Sequence, residues 1–373
     1  MITEEFKDII RACEQCGTCT ASCPTKEVSD FNIRKVVRHL QLELHEDKDF
    51  LSKYPWLCTQ CYRCRELCTE GLEIPKLVMA LRELAIKNAA EPESVNNLSK
   101  SVKEFDSPYQ SETRTKETWI NKKSGESRQS SDADLLYWVG CTPSIMAPNI
   151  ANATAEVLTK LDLGYKILND EPCCGEPLIS LGLIDEAKDK AVKIKKMIEK
   201  SHIKRLVTSC SGCYNTFTNF YPEILDVDFS DIEILHISQL LSKNMNENFK
   251  LEKSMTLTYH DPCSLGRHSK VYDAPRKVLE SIEGLNFVEM ERTRECSRCC
   301  GGGGGVLSLD YKMAMEIANN MFKKDILPLS VEGLVTCCPS CYLNFKRTAL
   351  KNKIPIKIYD LSEVVALSRR HNI

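Results

Sequence analysis

The 373-residue sequence has no apolar run that approaches the roughly 18 residues a transmembrane helix requires. Its N-terminus also lacks the basic-then-apolar pattern of a secretory signal and carries Glu4, Glu5 and Asp8. The formal net charge is −2, so there is no strong positive field to attract nucleic acid or an anionic membrane. We therefore expect a cytoplasmic protein that binds no nucleic acid, inserts no segment into a membrane, and reaches a membrane only through a partner subunit.

Two common catalytic patterns are missing as well. The glycine run at residues 301–305 follows two cysteines rather than a strand, and it does not have the G-x-G-x-x-G spacing of a dinucleotide-binding turn. The sequence also offers no paired carboxylates and no Ser/His/Asp constellation that would suggest hydrolysis. The sequence therefore gives no support for a dinucleotide-binding enzyme or a hydrolase, and its most abundant unusual residue is considered next.

Cysteine is that residue, with 20 copies. A secreted disulfide scaffold is one explanation, but such scaffolds are short and spread their cysteines through loops. Here the cysteines form dense C-x-x-C groups in a long chain without a signal pattern, which favours metal ligation.

Two N-terminal motifs share the spacing C-x-x-C-x-x-C-x-x-x-C. This spacing is typical of bacterial two-cluster ferredoxins, in which three close thiolates bind one cluster and the fourth reaches the other. A zinc site needs only four cysteines per ion and leaves the repeated spacing unexplained. We predict one 4Fe–4S cluster on Cys13, Cys16, Cys19 and Cys68. We predict a second 4Fe–4S cluster on Cys58, Cys61, Cys64 and Cys23.

The first part of the chain has the apolar periodicity of helices. One stripe of apolar residues, expected on a single face of a helix, lies between the two motifs and consists of Val36, Val37, Leu40 and Leu44. Another follows the second motif and consists of Leu77, Ala80, Leu81 and Leu84. We predict an α-helical ferredoxin-like domain over residues 1–90, followed by a polar linker over 91–133 in which Trp119 and Ile120 dock onto a neighbouring domain.

The remainder of the chain is an internal repeat, with predicted domains at 134–250 and 251–373. Each copy begins with a strand and a helix, continues through a short strand to a Cys-Cys-Gly triplet, and then has another helix. A strand that leads into C-x-x-C and a closing strand–helix stretch complete each copy. The predicted strands lie at 135–139, 165–168 and 206–208, and at 255–259, 286–290 and 334–336. The alternation predicts tandem α/β domains with mostly parallel sheets and pseudo-twofold symmetry.

Each repeat unit supplies five cysteines at strand ends or loop-to-helix turns, where open α/β sheets bind ligands. The first set is Cys141, Cys173, Cys174, Cys210 and Cys213. The second set is Cys263, Cys299, Cys300, Cys338 and Cys341. Five thiolates exceed the four that a cubane cluster uses, so either one cysteine is idle or the cluster is not a cubane.

Two further cysteines fall outside these sets. Cys296 and Cys337 are interpreted as incidental or buried thiols. Cys338 is preferred over Cys337 as a ligand because it preserves the C-x-x-C spacing and matches Cys210 in the first set.

The tandem pattern of Cys, Cys-Cys-Gly and C-x-x-C resembles the cysteine-rich CCG domain family. Fused behind a two-cluster helical ferredoxin domain, it resembles the catalytic subunit of membrane-type heterodisulfide reductases of methanogens over nearly the whole chain. That resemblance implies that each five-cysteine set holds a noncubane 4Fe–4S cluster, with the coenzyme M–coenzyme B disulfide between the two. It also implies that a flavoprotein or a membrane cytochrome b donates electrons through the two ferredoxin clusters.

The same architecture allows a second function. Iron–sulfur subunits of glycolate, lactate and glycerol-3-phosphate dehydrogenases also join a ferredoxin domain to tandem CCG units. A member of that group accepts electrons from a flavoprotein and passes them onward without binding a disulfide. Within the second unit, His260 and Arg267 are candidates to face a substrate, although His260 also suits a capping or packing role at a strand end.

Overall fold

The computed structural model describes residues 4–44, 47–109, 119, 130, 132–245 and 249–370. Nearly half of the predicted linker, including Ile120, therefore lies outside the described residues. The described residues from 4 to 109 contain helices and no strand. The helices are α1 (Glu4–Ala12), α2 (Thr18–Ser22), α3 (Ile33–Gln41), α4 (Lys48–Lys53), α5 (Arg63–Glu66), α6 (Ile74–Lys87) and α7 (Glu93–Phe105). The predicted α-helical ferredoxin-like architecture is confirmed.

The first repeat unit is built on a three-stranded parallel sheet in the order β1-β2-β3. Its elements are β1 (Leu135–Trp138), α8 (Cys141–Ile145), α9 (Pro148–Lys160), α10 (Glu176–Leu181), α11 (Ile184–Lys200), β2 (Arg205–Thr208), α12 (Ser211–Asn215), α13 (Tyr221–Ile224), β3 (Glu233–His236) and α14 (Ile237–Asn244). The strand predicted at 165–168 is reduced to isolated bridge pairing at Tyr165 and Lys166, the latter with Leu136, so that prediction was wrong.

The second unit has a larger sheet in the order β5-β4-β6-β7, with β8 antiparallel to β4. Its elements are β4 (Phe249–His260), α15 (Asp273–Glu280), β5 (Ile282–Phe287), α16 (Val306–Leu309), α17 (Tyr311–Met321), β6 (Gly333–Thr336), α18 (Pro339–Lys351), β7 (Lys357–Asp360), α19 (Leu361–Leu367) and β8 (Ser368–Arg370). Because β4 begins at Phe249, it crosses the boundary predicted between residues 250 and 251. The predicted tandem α/β architecture with mostly parallel sheets is confirmed.

The two units correspond in the pairing of their strand ends and in the caps of their last helices. In the first, Trp138 at the end of β1 pairs with Thr208 at the end of β2. In the second, His260 pairs with Thr336 in the same way. The last parallel strand of each unit ends in a capping box, formed by His236 with Gln239 and by Asp360 with Glu363. This correspondence places the C-x-x-C motifs at equivalent strand ends.

The predicted stripe after the first cysteine motif is shorter than expected. Helix α3 buries Val36, Val37 and Leu40. Leu44 does not join them, because the helix ends at Gln41 and Leu44 is 47% exposed. The stripe in α6 is buried at Leu77 and Leu81 and half-buried at Ala80 and Leu84.

The segment predicted as a polar linker contains helix α7. Val95, Leu98 and Val102 lie at helical spacing and are buried. Much of the rest of the helix is serine, asparagine and lysine, and this polar composition led to the prediction of a linker. Farther along, Trp119 is 4% exposed and meets Tyr137 of β1 edge to face, so it packs on the first unit as predicted. Within the described ranges, every helix falls short of the length or apolarity that crossing a bilayer demands.

Arg82 of α6 joins the ferredoxin-like domain to both repeat units. The side chain is fully buried. Its guanidinium donates to the carbonyls of Pro55 and Cys58 within its own domain, at 3.0 and 2.7 Å. It also donates to the carbonyl of Ser180 in the first unit and to that of Gly304 in the second, the latter at 2.9 Å. One cation thus satisfies buried carbonyls from three parts of the chain.

Replacing Arg82 by Gln should lower the stability of the whole chain. At least two buried carbonyls would lose their donor, and each unpaired group costs about 1–3 kcal/mol. The measurement is the apparent unfolding temperature of the anaerobically purified protein. Lys87→Gln, which removes a charge from an exposed position on the same helix, should leave that temperature unchanged. Equal behaviour of the two variants would contradict this role for Arg82.

The glycine run packs directly against the second cysteine motif of the ferredoxin-like domain. A Cβ on Gly303 would lie 2.7 Å from the carbonyl oxygen of Thr59. A Cβ on Gly304 would lie 2.6 Å from the carbonyl oxygen of Cys58, and the φ of Gly304 is +59°. Real Cβ atoms do not approach so closely, so only glycine permits this contact.

Gly304→Ala should therefore separate the second unit from the ferredoxin-like domain. Gly71→Ala is the matched control, because Gly71 has a similar φ of +63° but open space around its Cβ position. Both variants should lose stability from backbone strain, and only Gly304→Ala should also become more sensitive to proteolysis between the domains. Identical proteolysis patterns would show that the close approach contributes nothing beyond strain.

Candidate metal centres

The cysteines of the first predicted ferredoxin site lie together at the edge of the molecule. Cys13, Cys16, Cys19 and Cys68 all line one cavity of about 410 Å³. Cys16 is exposed and the other three are half-buried. The cavity is closed on its other sides by Thr18, Arg34, Thr69 and Ile74. The sequence-predicted set is thus assembled around a space that side chains do not fill.

The second predicted ferredoxin site lies deeper. Cys23, Cys61 and Cys64 are buried, and Cys58 is half-buried. Burial raises the pKa of Cys23 to about 12, and the neighbouring Cys61 and Cys58 thiols add to the shift. Burial likewise raises the pKa of Cys58 to about 11. The structure therefore brings Cys23, from the first motif, next to the cysteines of the second motif.

A larger cavity, of about 890 Å³, opens between the two repeat units. Nine of the ten cysteines in the two five-cysteine sets line it: Cys141, Cys173, Cys174, Cys210, Cys213, Cys263, Cys300, Cys338 and Cys341. Since strands β1, β2, β4 and β6 all end near this space, the two sets converge on the carboxyl ends of both sheets. Both sets face one shared cavity.

Cys299 is the tenth cysteine, and it lies behind the cavity wall. It is 1% exposed and packs with Cys263 of its own set and with Cys61 of the second ferredoxin site. Two predicted metal sites therefore touch through the thiols of Cys61 and Cys299. Nothing in the sequence spacing signals this contact, because it depends on how the glycine run packs.

Local backbone geometry aims the first set into the cavity. Cys141 begins helix α8 after Gly140, whose φ of +82° only glycine adopts readily. The carboxylate of Glu171 accepts hydrogen bonds from the N–H groups of Val139 and Gly140, at 2.8 and 2.7 Å, and so fixes this turn. Cys210 caps helix α12, and Cys213 lies in its first turn. These constraints explain why strand-to-helix turns carry these predicted ligands.

The second set is held in the same manner, with hydrogen bonds to sulfur. The N–H groups of Gly301 and Gly302 donate to the sulfurs of Cys299 and Cys300, each at 3.3 Å. The amide of Asn344 donates to the Cys300 carbonyl at 2.6 Å. Backbone N–H groups directed at sulfur stabilise thiolate and cluster charge.

Each set contains a thiol that is predisposed to ionise. Hydrogen bonding with Cys213 lowers the pKa of Cys210, while hydrogen bonds with Cys174 and Cys210 raise the pKa of Cys213. In the second set, hydrogen bonds with Cys299 and Cys341 lower the pKa of Cys300. Burial raises the pKa of Cys341. Thiolate is the form of cysteine that binds metals, and in each set one thiol is the first of its hydrogen-bonded group to ionise.

Several cavity residues were not predicted from sequence. Tyr109 lines the cavity beside the first set, and its hydroxyl lies 3.0 Å from that of Thr142. Glu176 also lines it, with a pKa that burial raises. Tyr109 follows α7 in the segment predicted as a linker, where no sequence signal marked it. Glu176 directly follows Cys-Cys-Gly and could have been found from that position.

The two residues suggested as substrate contacts do not line the cavity. His260 is 1% exposed and packs edge to face against Phe345. Its ring lies with Cys300 and Cys341, the three ligand atoms being within 4.8 Å of one another. Arg267 is also 1% exposed and donates to the carbonyl of Cys61. Both side chains point toward cysteine sulfur or its surroundings.

The extra cysteines are separated from the sets. Cys296 is exposed in the turn after β5. Cys337 is buried in the core shared by the two units, and its carbonyl accepts a hydrogen bond from Ser211. Its neighbour Cys338 lines the cavity.

The residues present fit iron–sulfur clusters. Soft sulfur donors converge on three regions, two of which contain space that the protein leaves unfilled. N–H···S hydrogen bonds are already formed at Cys58, Cys299 and Cys300. The eighteen cysteines of the four predicted sites are the residues that would hold such clusters.

Comparison with known proteins agrees with this fit. Residues 9–72 match the 4Fe-4S dicluster domain family, and residues 135–218 and 257–346 match the cysteine-rich domain family. The chain is 31% identical to the D component of the dihydromethanophenazine:CoB–CoM heterodisulfide reductase of Methanosarcina mazei, over 95% of this chain and 93% of that protein. It is 29% identical to the B component of the fumarate reductase (CoM/CoB) of Methanothermobacter marburgensis, over 98% of this chain and 74% of that protein. It is 26% identical to the EtfAB:quinone oxidoreductase of Syntrophomonas wolfei, over 83% of this chain and 46% of that protein.

The fold and the cysteine sites thus define an iron–sulfur oxidoreductase with a dicluster domain and tandem cysteine-rich domains. Within that class, the chain belongs to the heterodisulfide reductase D family. Its dicluster domain is of the kind that carries 4Fe–4S clusters, and relatives are components of larger complexes.

Adjacent cysteines provide a direct test of the second set. Cys338→Ser should remove the paramagnetic signal of the second-unit cluster and lower the iron content of the purified protein. Cys337→Ser should keep both, because Cys337 lies in the core and not in the cavity wall. Electron paramagnetic resonance and iron analysis make the comparison. Loss of the signal in both variants, or in neither, would contradict the ligand assignment.

Proposed function

We propose that this chain reduces a disulfide in the cavity between its two repeat units, and that the substrate is the coenzyme M–coenzyme B heterodisulfide or a similar disulfide. The convergence of both five-cysteine sets on one cavity carries this proposal. A disulfide has two sulfurs and needs two electrons, so two redox sites on opposite walls match the reaction.

The proposed reaction is RS–SR′ + 2 e⁻ + 2 H⁺ → RSH + R′SH. The S–S bond breaks, each sulfur gains one electron, and each thiolate takes a proton from solvent. The electrons come from a partner protein, either a flavoprotein or a membrane cytochrome b. When bound, the iron–sulfur clusters supply one-electron transfer, which divides the two-electron reduction into single steps.

The protein residues organise the electron path. The first ferredoxin site includes the exposed Cys16 and is therefore the site that a donor reaches. The second is buried and contacts the second repeat unit through Cys61 and Cys299. Both five-cysteine sets then border the substrate cavity. The order from surface to cavity is supported by the increasing burial of the cysteines.

We further propose two cubane 4Fe–4S clusters in the ferredoxin-like domain and one noncubane 4Fe–4S cluster on each five-cysteine set. Both five-cysteine sets exceed the four ligands of a cubane cluster. Around the cavity, Tyr109, Thr142, Ser264 and Ser340 offer polar groups that can orient a substrate. Burial raises the pKa of Tyr109, which keeps its phenol protonated as a hydrogen-bond donor.

A second function is electron relay for a flavin-dependent 2-hydroxyacid or glycerol-3-phosphate dehydrogenase. An electron relay of this general kind is supported by the similarity to the EtfAB:quinone oxidoreductase, whose name gives a quinone and no disulfide. In that function the cavity binds no disulfide, and electrons leave through another protein.

Disulfide reduction is tested with anaerobically purified protein and a reduced viologen dye. Addition of the coenzyme M–coenzyme B disulfide should oxidise the dye, and Cys174→Ser and Cys300→Ser should each reduce the rate by at least a hundredfold. Cys337→Ser serves as the control with an intact cavity. No turnover above the Cys174→Ser background would overturn the proposal. Turnover only with a flavoprotein that oxidises a 2-hydroxyacid would establish the relay.

A further inference from the structure

We propose that Arg267 is the electrostatic partner of the two metal centres that meet at Cys61 and Cys299, and that it raises the reduction potential of both. Arg267 is a positioning residue, since it touches neither the cavity nor a substrate. The proposal requires clusters at these two sites but holds whether or not the cavity binds a disulfide. Its test is therefore independent of disulfide turnover.

The contacts of Arg267 bridge the ferredoxin-like domain and the second unit. Its Nε donates to the carbonyl of Cys61 at 2.7 Å. Its Nη1 donates to the carbonyls of Ser297 and Glu295, at 2.7 and 3.3 Å. Its Nη2 is buried and has no hydrogen-bond partner in the described part of the chain. All of these acceptors are neutral carbonyls.

A buried guanidinium needs a negative charge nearby, because desolvation of an unbalanced charge is costly. Arg276 shows how the same unit meets this need elsewhere. Its guanidinium makes a two-pronged contact with Asp261 at 2.8 Å and also contacts Glu289. The contacts of Arg267 with the described residues include no such carboxylate. Its bond to the carbonyl of Cys61 instead places it beside the cysteine group Cys61, Cys263 and Cys299.

Those three cysteines form a buried group of their own. Cys61 belongs to the second ferredoxin site, whereas Cys263 and Cys299 belong to the second five-cysteine set. Thiolate-bound clusters at these sites carry net negative charge, which supplies the balance that Arg267 otherwise lacks. The free Nη2 donor is then available to sulfur at the junction.

The first repeat unit has no cation at the equivalent position. Arg267 is the fourth residue after Cys263, and the fourth residue after Cys141 is Ile145, which is buried and apolar. The two units therefore differ in charge at the fourth residue after their first cysteine. The unit that carries the cation is the one whose cysteine contacts the ferredoxin site.

The charge has a definite effect on electron transfer. Reduction adds a negative charge to a cluster, and a nearby buried cation stabilises that charge through a low-dielectric medium. Arg267 should thus favour the reduced state at the junction and direct electrons into the second unit first. The hydrogen bonds of Arg267 reach no residue of the first-unit set or of the outer ferredoxin site, so those centres should respond less.

The test compares Arg267→Gln with Arg267→Lys by redox titration of the purified protein, followed by electron paramagnetic resonance without any disulfide present. The Gln variant should reduce the ratio of reduced to oxidised protein at the junction centres by at least tenfold at a fixed potential. That change corresponds to a negative shift of about 59 mV for a one-electron couple. The Lys variant should recover most of the shift because it retains the charge.

Two controls separate this effect from a general loss of charge or structure. The signals of the first-unit set and of the Cys13, Cys16, Cys19 and Cys68 site should keep their potentials. Arg294→Gln removes an exposed charge from the same unit and should shift nothing, because solvent screens it.

Unshifted potentials in Arg267→Gln, or equal shifts at all four centres, would overturn the proposal. If the Gln variant fails to assemble the junction clusters, the Lys variant decides. Assembly and near-native potentials with Lys support the role of the charge. Failure with Lys as well as with Gln overturns it, whereas disulfide turnover bears only on the proposed function.

Discussion

The architecture depends on the close contact between the ferredoxin-like domain and the glycine run of the second unit. Backbone meets backbone there, since any Cβ at Gly303 or Gly304 would overlap the carbonyls of Thr59 and Cys58. Arg82 secures the same junction by donating to carbonyls of all three parts of the chain. Because Cys58 and Cys299 lie on the two loops concerned, the contact that closes the fold also sets the spacing of the predicted metal sites.

A second constraint is the unusual content of the interior. Most of the predicted ligands are buried thiols, and the space between the units is lined with sulfur rather than filled by leucine or phenylalanine. A core of this kind forfeits dispersion contacts that a close-packed interior would have. Binding of the proposed clusters would restore contacts in that space and so link folding thermodynamically to cofactor acquisition.

Much of this could be predicted from the sequence, because the signals were local. Cysteine spacing, apolar periodicity and the repeat predicted the helical domain and the parallel sheets. What failed or was missed depends on tertiary context. Helix α7 buries only three large apolar side chains in a polar segment, and the segment 165–168 pairs only through isolated bridges at Tyr165 and Lys166. Arg82 looks like an ordinary surface arginine until three parts of the chain close around it. Arg267 was expected to face a substrate and is instead buried against the carbonyl of Cys61.

The exposure of Cys16 determines which predicted metal site is inactivated first when the protein is exposed to oxygen. The eight ferredoxin cysteines form a gradient, from this solvent-exposed thiol to Cys61 and Cys64 in the interior. Molecular oxygen would reach the outer site first, as would the proposed donor protein. Brief aeration should therefore disconnect the chain from its electron supply while the inner centres are still intact, leaving a molecule that contains most of its iron yet no longer receives electrons.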